Sequence, residues 1–114
     1  MLMSNVVKLY DEADRLKAEG KLDEAAEKLK EAITLDDGYA LAHSALAVVL
    51  QRLGQHEAAI QHAQRVCELE PSDPFSFTAL SVTYQRAFAG TQQMGYIRLA
   101  EDAMEQSRQL GQRH

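Results

Sequence analysis

The chain has 114 residues, 46% of them hydrophobic and 25% charged, with a formal net charge of −5, ordinary values for one globular domain with a modest core. No apolar run approaches the roughly 18 residues of a membrane span, the N-terminal Met1-Leu2-Met3-Ser4-Asn5 lacks the pattern of a secretion signal, and a single cysteine cannot staple the chain to itself. An acidic chain without a basic stripe argues against nucleic acid or an anionic membrane as partner, and the lone Cys67, on an apolar helical face, fits a buried small hydrophobe in a reducing cytoplasm.

Six helices are predicted. The first covers about Asn5 to Ala18, with Ser4 as cap and Val6, Leu9, Ala13 and Leu16 as its apolar stripe. Gly20 ends it. The second runs from Leu22 to Leu35 on the stripe Ala25, Leu29, Ala32 and Ile33, and Asp23 and Glu24 complement its positive end. Asp36-Asp37-Gly38 signals a turn. The third covers Ala40 to Leu53 and stops at Gly54; the fourth covers His56 to Leu69 and stops before Pro71. Asp73 then caps a fifth helix that opens on Pro74 and runs towards Ala89.

The pattern repeats every 34 residues. Leu16, Leu50 and Tyr84 keep that interval, as do Gly20 and Gly54, Ala25 and Ala59, and Leu35 and Leu69. Such a unit holds two short helices and cannot bury its apolar face alone, so neighbours must stack into a helical solenoid. The last unit breaks the rule. Ala59 pairs with Ala100, Ala63 with Met104 and Leu69 with Leu110, an interval of 41. The seven extra residues lie within Ala87 to Tyr96. They either lengthen the fifth and sixth helices by a turn each, with Thr91 capping a helix that contains Met94, Ile97 and Ala100, or form a loop around Gly90 and Gly95.

These residues resemble the tetratricopeptide repeat family. The third unit carries Phe77-x-x-Leu80-Ser81-x-x-Tyr84. The second carries His43-x-x-Leu46-Ala47-x-x-Leu50, Gly54, Ala59 and Pro71, and the first carries Leu9-x-x-Glu12-Ala13-x-x-Leu16, Gly20, Ala25, Leu29 and Ala32. Glu12 departs from the family's leucine, which a solenoid end tolerates. The resemblance implies an all-α, right-handed solenoid of three stacked helix-turn-helix repeats, about 6–39, 40–73 and 74–112, forming one domain over 1–114, with the seven-residue insertion in the third. It implies a non-catalytic interaction module that binds a peptide or helix of another protein in a concave groove lined by the first helices. By register the groove residues are Val7, Tyr10, Asp11 and Asp14, then Leu41, Ser44, Ala45, Val48 and Arg52, then Phe75, Thr78, Ala79, Val82 and Arg86. The apolar ones either meet a partner or pack between repeats. Arg52 and Arg86 recur in register and would suit a carboxylate, or stand as solvated surface.

Some relatives clamp the C-terminal carboxylate of heat-shock chaperones with Lys, Asn and Arg. The corresponding positions here are Tyr10, Asp14, Ala45, Phe75 and Ala79, none of which holds a carboxylate by charge. A self-associating scaffold is the alternative role, through Met94, Tyr96, Leu99 and Ala103 on the sixth helix, unless Arg98, Glu101, Asp102, Glu105 and Arg108 keep that face solvated. Four histidines invite a metal reading. His43 sits at a large core position, His56 near a turn, His62 on an outward face and His114 at the terminus, with no i, i+4 pair. No phosphate loop, nucleophile elbow or spaced acid pair is present, so catalysis, a cofactor and a metal are not expected.

Overall fold

The computed structural model describes residues 2–112, with side chains from Asn5 onward. The helices are α1 (Leu2–Ala18), α2 (Leu22–Leu35), α3 (Ala40–Arg52), α4 (His56–Leu69), α5 (Pro74–Thr91) and α6 (Gly95–Gln112), and no strand occurs among the described residues. They form three hairpins, α1/α2, α3/α4 and α5/α6, that stack through α2–α3 and α4–α5. The first helices α1, α3 and α5 lie side by side. The result is an all-α helical-repeat solenoid.

The first two corners are built alike. Gly20 has φ +81° and Gly54 φ +82°, a conformation without steric penalty for glycine. The next amide reaches back past the last turn in both, Lys21 N to Leu16 O at 2.9 Å and Gln55 N to Leu50 O at 2.8 Å, which satisfies a terminal carbonyl. Between hairpins, Asp36 Oδ1 accepts from Gly38 N at 3.0 Å, and Asp73 caps α5 by accepting from Phe75 N at 2.9 Å ahead of Pro74. The bounds of α2 and α4 coincide with the predicted ones. By contrast, α1 begins at Leu2, so Ser4 lies inside it and not at its cap.

The third hairpin is longer. Both α5 and α6 have 18 residues, against 13 and 14 in α3 and α4. Its corner also differs from the expectation. Thr91 is the last residue of α5; its hydroxyl donates to Ala87 O at 2.7 Å and accepts from Gln93 N at 3.2 Å. Gln92 takes the left-handed conformation, φ 62°, where the other corners have glycine. Met94 precedes α6, which starts at Gly95. The extended end of α5 reaches the α3–α4 corner, where the His56 ring lies against Gly90.

Two cores result. One, centred on Leu29, Leu46, Val49 and Leu50, joins the first two hairpins. The other joins α4, α5 and α6 through Ile60, Ala63, Cys67, Leu80, Tyr84, Ala87 and Ala100. Ala25 and Ala59 are fully buried, as expected where paired helices cross closely.

Candidate functional site

The first helices present two seams, and only one is open. Between α1 and α3, the residues Tyr10, Ala13, Asp14, Lys17 and Ala45 leave a void of only about 10 Å³, the lower limit for one water. Tyr10 stands edge-on to Tyr39 at 6.1 Å, and Asp14 faces Lys17 at 3.8 Å. Burial, then the neighbouring Asp14, pushes the Tyr10 phenol pKa up, so it stays a neutral polar rim. This seam is closed packing with an acidic edge.

Between α3 and α5 lies a cavity of about 210 Å³. Ser44, Val48 and Gln51 form one wall; Ala79, Val82, Thr83 and Arg86 form the other, over a floor that includes Ala63 and Val66 of α4. Val48 and Val82 remain 45% and 37% exposed although apolar. Leu41 and Phe75 stand at the helix-start end, Phe75 78% exposed. Arg52 and Arg86 occupy the other end, one repeat apart, and neither has an acidic partner within ion-pair distance among the described residues. Along its axis the groove passes from apolar rim to apolar pocket to guanidinium.

Of the residues expected in the groove, Ser44, Val48, Ala79, Val82 and Arg86 line this one cavity. Tyr10, Asp14 and Ala45 belong to the closed seam. Thr78 does not face the groove: its hydroxyl meets Ser107 of α6 at 2.7 Å and Pro74 O at 3.3 Å. The first helices alone define the groove by register, so the floor that Ala63 and Val66 of α4 supply is not part of that expectation.

The residues assigned to self-association do not share a face. Ala103 is only 3% exposed and packs in the second core, because its position turns inward with Ala100 and Ser107. Tyr96 stacks on Tyr84 with centroids 6.1 Å apart, Met94 lies in the link, and Leu99 is exposed. A recess of about 420 Å³ opens instead where Phe88 of α5 meets Ile97 and Met104 of α6, edged by Glu101 and Arg108.

The histidines also need correction. His62 does not point outward; its Nδ1 lies 3.0 Å from Nδ1 of His43. His43 is buried, as its core position predicts. His56 opens α4, and His114 lies outside the described residues. Among the described residues no three His, Cys, Asp or Glu side chains converge as a metal site. Burial, then Glu68, pushes the Cys67 thiol up to about 11, and its Sγ donates to Ser76 O at 3.4 Å, which leaves it an unreactive core group. No described helix is long and apolar enough to cross a membrane.

Two family models match the chain, one described as TPR repeat over residues 13–54 and one as tetratricopeptide repeat over 40–73. No curated protein matches the sequence. Among solved structures, the crystal structure of MamA is similar with a TM-score of 0.81 at 17% identity, over 96% of this chain and 60% of that one. The second TPR of Spaghetti (RPAP3), bound to the HSP90 peptide SRMEEVD, gives 0.74 at 20% identity over 93% and 92% of the two chains. The first TPR of the same protein, bound to the same peptide, gives 0.63 at 14% identity over 93% and 92%. At these identities the likeness concerns the fold.

Proposed function

The chain belongs to the tetratricopeptide repeat family, and from that premise we propose that it is a non-catalytic adaptor whose α3/α5 groove holds a short segment of another protein. The supporting observation is the 210 Å³ cavity between Val48 and Val82 with Arg86 at its edge. An aliphatic side chain of the partner fills the cavity, and a carboxylate reaches Arg86 and Arg52, which have no competing acid. Burying the apolar walls supplies about 25 cal/mol per Å², and planar guanidinium pairing sets the direction of the segment.

The HSP90 peptide bound by the RPAP3 repeats is acidic at its end. Here the corresponding clamp positions are Tyr10, Asp14, Ala45, Phe75 and Ala79. Asp14 repels a terminal carboxylate, so titration calorimetry with SRMEEVD is expected to give no tight, salt-sensitive binding at that clamp. The groove itself is tested with short peptides that pair an aliphatic residue with Asp or Glu. Val48→Glu with Val82→Glu is expected to weaken binding at least roughly tenfold, about 1.4 kcal/mol, with only a small change in melting, since both side chains already reach solvent. Undiminished binding would remove the proposal.

A second reading, assembly of copies through the recess at Phe88, Ile97 and Met104, is favoured only by the apolar floor of that recess. Light scattering decides it: a monomer at high concentration excludes it.

A further inference from the structure

The two walls of the groove carry the same stripe. On α3 it is Leu41, Ala45, Val48 and Arg52; on α5 it is Phe75, Ala79, Val82 and Arg86. Steps of four, three and four residues keep each stripe on one face of its helix. From Leu41 to Arg52 the stripe rises about 16 Å, roughly three turns. Leu41, Val48, Phe75 and Val82 are all exposed, so two apolar rows lie uncovered side by side and end in guanidinium. The same register on α1 carries Val7, Asp11 and Asp14. Asp14 borders the α1–α3 seam beside Ala45, which gives the apolar rows an acidic bank along one side. Asp14 has Lys17 at 3.8 Å, and Asp11 has no basic partner within ion-pair distance among the described residues.

What the walls lack decides the shape of their occupant. An extended segment presents an N–H and a C=O at every residue, and each needs a partner once water is excluded. Side-chain amides answer both groups at once, but the chain's one asparagine is Asn5, near the start of α1. Of the neutral polar side chains around the cavity, Ser76 is buried and Thr83 already donates its hydroxyl to Ala79 O at 2.9 Å. Ser44 and Gln51 are left, too few for the backbone of an extended segment as long as the groove. A helix satisfies its own backbone. It offers the walls only a row of side chains at their own three- and four-residue spacing.

We propose, resting on the reading of this groove as a protein-binding site, that its occupant is an amphipathic helix of about three turns. Its apolar face lies on Val48 and Val82, its acidic end meets Arg52 and Arg86, and a basic flank faces Asp11 and Asp14. The three surfaces together fix how the helix sits. Turned end for end, it would carry its acids to Leu41 and Phe75 and its basic flank away from α1. Charge then sets the orientation, and apolar area supplies the hold.

The probe is a synthetic peptide of about 15 residues, short enough to be marginally helical when free. It carries leucines at helical spacing on one face, glutamates at one end and lysines on both flanks. Titration calorimetry against the full chain compares it with a copy locked as a helix by a lactam on its outer face, and with a copy broken by a central proline. The locked form is expected to bind at least roughly tenfold more tightly than the proline form, because its ordering cost is met in advance. The unlocked peptide should gain helical circular dichroism on binding. Val48→Glu with Val82→Glu should weaken the locked form at least roughly tenfold, which places it in the groove. Asp11→Asn with Asp14→Asn should weaken it about threefold, an effect that high salt removes. Equal or tighter binding of the proline form, or binding of the short aliphatic–acidic peptides alone, overturns the helical occupant and leaves the groove a peptide site. Undiminished affinity in the aspartate variant overturns the basic flank. Absence of binding by every probe removes both this inference and the reading on which it rests.

Discussion

In the first two hairpins the largest side chains wholly removed from water are Leu29, Leu46, Leu50, Val6 and Val49; in the third, the largest of comparable burial is Ser81. The same period thus supports two kinds of interior. The first seals by apolar area, which has no direction and follows the period closely. The second sets alanines and small polar groups around a few larger side chains, Ile60, Leu80 and Tyr84. Ser81 Oγ donates to Ala100 O at 2.7 Å, Ser107 meets Thr78 at 2.7 Å, and Gln64 Nε2 donates to the Tyr84 hydroxyl at 2.9 Å. Small side chains let helices approach closely, and buried hydroxyls are tolerable only where partners are fixed. The longer α5 and α6 extend this thinner core lengthwise. A directional seal holds one register, whereas the leucine core yields more stabilisation per residue.

The largest effect should come from the leucine side. Leu46→Ala removes a fully buried side chain and is expected to cost about 2–5 kcal/mol, depending on how far the site collapses, as read by urea unfolding. On the serine side, Ser81→Ala removes one donor and little volume, and about 1 kcal/mol is expected. If Ser81→Ala costs as much as Leu46→Ala, the hydrogen bonds carry more of the third hairpin than its small side chains suggest. If it costs nothing, the seal there is close packing of alanines and the two interiors differ only in residue size.

The same contrast explains how much of the molecule was legible in the sequence. Corners made with Gly20 and Gly54 and helices striped with leucine announce themselves, and α2 and α4 lie where the pattern puts them. The third corner gives no such signal. Gln92 adopts the left-handed turn without being glycine, and Thr91, a capping residue by type, is used by α5 itself. The groove was legible in its walls, since Val48 and Val82 share a register. Its openness was not, because the width between α3 and α5 depends on the α4 side chains beneath, and the equivalent seam at α1 is filled by Tyr10. The His43–His62 contact was invisible for a different reason: 19 residues separate the partners, and only the closing of the hairpin brings them together.

A finer test concerns how the extended hairpin is tied to its neighbour. A Cβ at Gly90 would fall 2.3 Å from Nε2 of His56, whose Nδ1 is buried without a hydrogen-bond partner among the described residues. Replacing glycine by alanine inside a helix is ordinarily worth about 1 kcal/mol. Here the ring must move to admit the methyl group. Gly90→Ala alone is therefore expected to change stability by less than about 0.5 kcal/mol, and to yield most of the ordinary gain once His56→Ala has cleared the space. A double-mutant cycle in urea measures the difference directly. If the gain is the same in both backgrounds, His56 gives way freely, and the added length of α5 is solvated helix with no hold on the α4 corner.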